Sequence, residues 1–206
     1  MIGDEEALRR ARDAIERDGW EAATMERLAG ALGVSRMTLH RRGVRREHVL
    51  GALGTLLEGD YRRALEPPLT ASGDGRARLA LALTALCGVT EQNLALLAAL
   101  DAAERDEIFH APAADAAAEP ERGAAAASGD GVLTQPAFTA PLQQLLQDGI
   151  ADGSLRLDPD ETVAEAATVL FNLLSWTYRH LRLGHHWPPE RAAAAVTRRA
   201  LRSVSA

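Results

Sequence analysis

The stretch TMERLAGALGVSRMTLHRRGVRREHVLGAL, residues 24–53, decides how the rest of the chain is read. Thr24 stands as a helix N-cap before Met25, Leu28, Ala29 and Leu32, an apolar stripe at the i, i+3, i+4, i+7 spacing of one helix face. Gly33 follows at once, suited to a sharp turn with positive φ. Ser35 then caps a second, short helix over 35–42, and Gly43 fits the C′ position that closes it. At about 100° per residue, Arg36, Met37, His40 and Arg41 share one side of that helix. Leu39 points elsewhere, available to a core with Leu32 and Val34. A short helix with an exposed basic face, laid across a capped apolar helix, is the physical description of a helix-turn-helix.

The charge distribution supports an outward role for the arginines. The 206-residue chain has net charge −6, and all 23 of its basic residues are arginine. Residues 33–50 nevertheless carry Arg36, Arg41, Arg42, Arg45 and Arg46 against Glu47, a local excess of four positive charges. Physiological salt screens acids beyond roughly 8 Å, so a local patch suffices to meet a polyanion. The same small number of cations predicts modest nonspecific affinity. Abundant alanine and glycine beside the missing lysine point to a coding bias, so arginine identity by itself carries little weight.

Outward from this segment the pattern stays helical, and no period-2 strands appear. Residues 4–18 form a helix with Leu8, Ala11 and Ile15 on one face, ended by Gly19-Trp20. A helix over 46–65 carries Val49, Leu50, Leu53, Leu56, Leu57 and Tyr61, and Pro67-Pro68 are expected to stop it. Further helices are expected at 74–88, 90–109, 138–152, 159–183 and 188–203. Residues 111–131, rich in alanine and lacking a large apolar anchor, are expected to be a loop or a poorly ordered helix. The chain is thus all-α: an N-terminal helix-turn-helix domain over 1–50, with 46–65 connecting, and a C-terminal helical domain over 51–206. The N-terminus has no apolar signal region, and the uncharged runs fall short of the ~18 apolar residues a membrane helix needs. With one cysteine and no metal-type cysteine spacing, a cytoplasmic protein without a membrane partner is expected.

The segment 24–53 resembles the N-terminal domain of TetR-family transcriptional regulators, whose motif reads roughly T-x-x-x-I-A-x-x-A-G-V-S-x-G-T-L-Y-x-H-F-x-S-K-E-x-L. Leu28-Ala29, Gly33-Val34-Ser35, Thr38-Leu39 and Glu47 fall in register with it. Gly19-Trp20 is similar to the family's glycine–aromatic end of helix 1, so the match spans residues 7 to 56. Met37 stands where the family has a small residue, His40 for its tyrosine, Arg42 for its histidine and Arg46 for its lysine. Gly43 stands for the phenylalanine that anchors the recognition helix, so either that helix is less rigid or other side chains fill the gap.

The resemblance implies a DNA-binding repressor released by a small-molecule effector, with no enzymatic activity and no cofactor. Thr24, Ser35, Thr38, His40, Arg42 and Arg46 would position it on the DNA backbone. Arg36, Met37 and Arg41 would read base edges, arginine to guanine and methionine on a thymine methyl. It also implies a homodimer through 159–183 and 188–203 on a palindromic double-stranded operator. An effector pocket would lie in the C-terminal domain, where Cys87, Phe109, Phe138, Phe171, Trp176 and Tyr178 are the candidates. Cys87, among Leu83, Leu86 and Val89, also reads as a plain core thiol. Two rival readings stay open: a metal-dependent enzyme using His180, His185 and His186, and a helical interaction protein that has lost DNA binding.

Overall fold

The computed structural model describes residues 4–110 and 135–205; the side chains of 104–110 and 135–138 are not described. The expectation for 111–131 lies outside the described residues. The helices are α1 (Glu5–Asp18), α2 (Met25–Ala31), α3 (Arg36–Arg41), α4 (Arg46–Thr70), α5 (Gly75–Gln92), α6 (Leu94–His110), α7 (Gln135–Ala151), α8 (Val163–Arg179) and α9 (Pro189–Ser203). Among the described residues the only β pairing is an isolated bridge between Leu155 and Ser205. The all-α expectation holds. No single helix among them is long and apolar enough to cross a membrane.

The chain forms two compact units, Met1–Leu56 with Ala95–Leu133, and Leu57–Leu94 with Thr134–Ala206. In the first, α1 buries Ala7, Ala11 and Ile15, α2 buries Leu28 and Ala29, and α3 contributes Leu39. The start of α4 adds Val49, Leu50 and Leu53, and α6 adds Leu96, Leu97 and Leu100. One polar tie joins α1 to α6. The Glu16 carboxylate accepts the N–H groups of Ala95 (3.0 Å) and Leu96 (2.8 Å), two of the donors a helix start leaves unsatisfied.

Burial pushes the Glu16 carboxyl above its ordinary range, although the two backbone N–H groups pull it down. A carboxyl that holds its proton more tightly when folded takes up a proton on folding between the ordinary and the raised value. Its contribution to stability is therefore greatest below the ordinary value and declines as pH rises through the raised one. Glu16→Gln is expected to flatten that part of the curve, read as the difference in Tm from the parent between about pH 4 and pH 7.

The second unit is built on α5, α7, α8 and α9 with the end of α4. Its core holds Tyr61, Leu65, Leu79, Leu83, Leu86, Leu142, Leu145, Leu170, Leu174 and Val196. The buried Tyr61 hydroxyl pairs with Thr90 Oγ1 at 2.9 Å, and Phe171 meets the Tyr61 ring edge-on at 6.3 Å. At the start of α5 the backbone runs against α7 so closely that a Cβ on Gly75 would overlap the Cα of Gly149.

Several helix boundaries differ from those expected. α4 does not stop at Pro67-Pro68 but continues to Thr70. Proline forfeits its own N–H bond, but the carbonyls freed at the end are satisfied: Pro68 and Leu69 accept the Arg78 guanidinium. α5 runs four residues past the expected 88 and breaks at Asn93, buried, whose Nδ2 donates to the Val89 carbonyl. α8 begins at Val163, not 159, because Thr162 and Glu165 form a capping box that defines the start. It ends in a π-helical turn, His180–Gly184.

Candidate nucleic-acid interface

The interface is assembled from caps and closures inside residues 24–47. Thr24 Oγ1 accepts the Arg27 N–H at 3.4 Å and starts α2, while Ser35 Oγ accepts the Thr38 N–H at 3.1 Å and starts α3. Both helices end in the same way. Gly33 donates to the Gly30 carbonyl and Val34 to Ala29; ten residues on, Gly43 donates to His40 and Val44 to Leu39. This paired 5→2 and 6→1 pattern is the Schellman closure, and its C′ residue must enter the left-handed region. Gly33 has φ +72° and Gly43 φ +65° accordingly.

Glycine suits position 43 because the closing turn needs a left-handed backbone there. Apart from its chain neighbours, no atom lies within 4 Å of where a Cβ on Gly43 would be, so a Cβ itself meets no steric bar there. Leu39, 1% exposed, holds α3 to the core, and the half-buried Val44 follows the closing turn. Gly43→Phe is expected to lower stability by about 1–2 kcal/mol, from the left-handed backbone alone, as a fall in the urea midpoint at unchanged slope.

With Leu39 pinned inward, the opposite face of α3 is set. Arg36, Met37, His40, Arg41 and Arg42 are exposed, Met37 at 65%. Arg36 and Arg41 make no ion pair with a described residue. Ser35 and Thr38 hydroxyls lie 2.9 Å apart, so one donates to the other and only one proton is left for an outside acceptor. Thr24 is exposed, and its hydroxyl proton is free to donate because the cap uses the oxygen as acceptor.

Arg46 is placed differently from the other candidates. Its guanidinium stacks over the Trp20 ring, 3.9 Å from the centroid, and donates to the Trp20 carbonyl. It is half-buried and fastens the start of α4 to the turn after α1. Arg45, absent from the candidates, is the exposed member of the pair, its backbone N–H donating to His48 Nδ1 at 3.2 Å. Adjacent arginines look alike in sequence; only the position of Trp20 separates them.

Of the effector candidates whose side chains are described, Cys87 and Tyr178 come together, while Phe171 and Trp176 lie elsewhere. Phe109 and Phe138 lie outside the residues whose side chains are described. Phe171 packs on Tyr61, and Trp176 is 55% exposed with the Arg179 guanidinium 5.1 Å from its ring centroid. Cys87 and Tyr178 are both buried and line one cavity, of about 750 Å3, between α5 and α9. Burial pushes the Cys87 thiol up to about 11. Tyr178 donates to Glu91 at 2.8 Å, and its phenol is raised first by burial and then by that carboxylate. Of the three histidines, His180 and His185 meet edge-on at 4.8 Å. No group of three or more metal-ligating side chains occurs among the described residues.

No family model and no curated protein matches this sequence. Solved structures do match it in fold. The TetR family transcriptional regulator PfmR from Thermus thermophilus is 21% identical, with 95% of this chain and 97% of that one covered at a TM-score of 0.61. A TetR/AcrR family regulator from Thermobifida fusca is 17% identical, with 95% and 94% covered and a TM-score of 0.61. The transcriptional regulator FadR from Bacillus subtilis, solved in complex with stearoyl-CoA, is 15% identical, with 96% and 97% covered and a TM-score of 0.64. The chain has the fold of these regulators, a helix-turn-helix followed by a helical C-terminal region.

Proposed function

We propose that a chain with this fold and this arginine-bearing α3 is a ligand-responsive, DNA-binding transcriptional repressor that works as a cytoplasmic homodimer. The observation that carries the reading is the division of α3: Leu39 is 1% exposed, while Arg36, Met37 and Arg41 face solvent. In a major groove, that outer face would read base edges through bidentate arginine contacts. Thr24, the Ser35–Thr38 pair, His40, Arg42 and Arg45 would hold the DNA backbone. Arg46 would act from within, by holding α4 in place.

Residues 1–50 would form the reading head, and 51–206 the region that dimerises and binds the effector. α8 supports the dimer. Val169 and Trp176, seven residues apart on α8, are each 55% exposed. An apolar pair of that spacing suits packing against a second copy of α8 and α9 in a four-helix arrangement. Two recognition helices would then meet half-sites about 34–36 Å apart on a palindrome. An effector that binds better to a conformation with another spacing would release the DNA. Neither a cofactor nor an enzymatic step enters this scheme.

The test is a gel-shift titration of the protein on duplexes tiling the region upstream of its own gene, at low salt. A shift at a palindromic duplex, with two chains bound, is expected. Failure to shift any promoter-proximal palindrome would remove the regulator reading.

A further inference from the structure

The cavity between α5 and α9 lies wholly within the second unit and has a distinct chemistry. Its width comes from small residues, Gly88 on α5 with Ala193 and Ala194 on α9. Its floor is closed by the buried Cys87 and Tyr178. The rim is basic. Arg198 and Arg202, one turn apart on α9, are exposed, line the cavity and make no hydrogen bond or ion pair with a described residue. Arg76 lies on the same rim and donates to Ser205 Oγ.

Two carboxylates also line the cavity, Glu91 and Glu190. Glu91 is neutralised by Arg182, whose Nε and Nη2 each donate to it at 2.7 Å. The remaining charge at the mouth is positive. A high thiol pKa keeps Cys87 protonated, so the floor beneath the arginines is uncharged.

We infer that this groove binds an amphipathic anion, an apolar body with a negatively charged head group, for which a fatty carboxylate is the simplest probe. The body lies against Gly88, Ala193 and Ala194, and the head group meets Arg198 and Arg202. The site deepens the regulator reading by giving its effector a place and a charge. It rests on that reading only for the consequence of binding, because occupancy is measured on the protein alone.

The probe is dodecanoate, with dodecylamine and dodecanol as chain-matched controls, each titrated calorimetrically into the full-length protein below its micelle concentration. Dodecanoate is expected to bind about tenfold more tightly than either control. Arg198→Glu with Arg202→Glu should abolish that preference. Gly88→Leu should weaken dodecanoate by about tenfold or more by filling the groove. A Cβ at position 88 meets nothing within 4 Å, and leucine is the better helix former, so this variant should fold at least as well as the parent. Equal affinity for the three probes would overturn the charge assignment. Undiminished dodecanoate binding by folded Gly88→Leu would overturn the site. A protein that binds dodecanoate but shifts no DNA would keep this site and lose the regulator reading; one that shifts DNA but ignores dodecanoate would do the reverse.

Discussion

Replacing Arg36 and Arg41 together with alanine is expected to weaken binding to the target duplex by a hundredfold or more, with the fold unchanged. Each bidentate arginine–guanine contact discriminates by about 1–3 kcal/mol, so two mid-range contacts of about 1.5–2 kcal/mol together remove about 3–4 kcal/mol. That loss corresponds to roughly a hundred- to a thousandfold in Kd. Both side chains are exposed and unpaired with any described residue, so the substitutions should leave Tm close to that of the parent. The loss should fall on the specific duplex and spare scrambled DNA in relative terms. Two single variants separate the neighbouring cations. Arg45→Ala should weaken all duplexes alike and reduce the slope of log K against log salt by about one. Arg46→Ala should instead lower stability by about 1 kcal/mol, through loss of its stack on Trp20. Undiminished specific binding by the Arg36/Arg41 double variant would show that α3 is not the reading element.

Gly75→Ala is expected to be the most damaging single-methyl change in the second unit. The added Cβ would fall on backbone atoms of Gly149, which cannot swing aside as a flexible side chain can. Gly75 also donates to Asp152 Oδ2 at 2.7 Å, and the next N–H, of Arg76, to Ser154 Oγ at 3.0 Å. Moving α5 off α7 would therefore strain a packed crossing and two hydrogen bonds at once. A cost of about 3 kcal/mol is expected, at the upper end for overpacking, read as a fall in the urea midpoint. Gly88→Ala, on the same helix, is the matched control. Its Cβ meets open space, so it should stabilise the protein by about 0.5–1 kcal/mol. If the two variants were equally stable, the close approach of α5 to α7 would be absent in solution.

How much of this was legible beforehand depends on whether a feature is local in the chain. Thr24, Gly33, Ser35, Leu39 and Gly43 act within a few residues of themselves, through caps, Schellman closures and one inward side chain. Their spacing therefore specifies the helix-turn-helix directly, and the structure bears it out. Even Gly43, a departure from the family pattern, was explicable from the chain alone as the closing residue of α3. Helix ends that depend on distant partners differ from those the sequence pattern suggests. α4 outlasts Pro67-Pro68 with help from Arg78, ten residues after Pro68. α8 starts late because of a capping box, a local signal that the run of acids at 160–165 obscured.

Sequence alone determined the all-helical fold, the two capped helices and the outward face of α3, because those rest on hydrogen bonds and periodicities spanning at most a few turns. Tertiary structure decided which of two adjacent arginines is free, since Arg46 is claimed by Trp20, 26 residues away. It likewise decided that Glu16 caps a helix beginning near residue 94 and that Gly88, Ala193 and Ala194 border one groove. Such pairings depend on where helices cross, and a crossing is the outcome of packing the whole core.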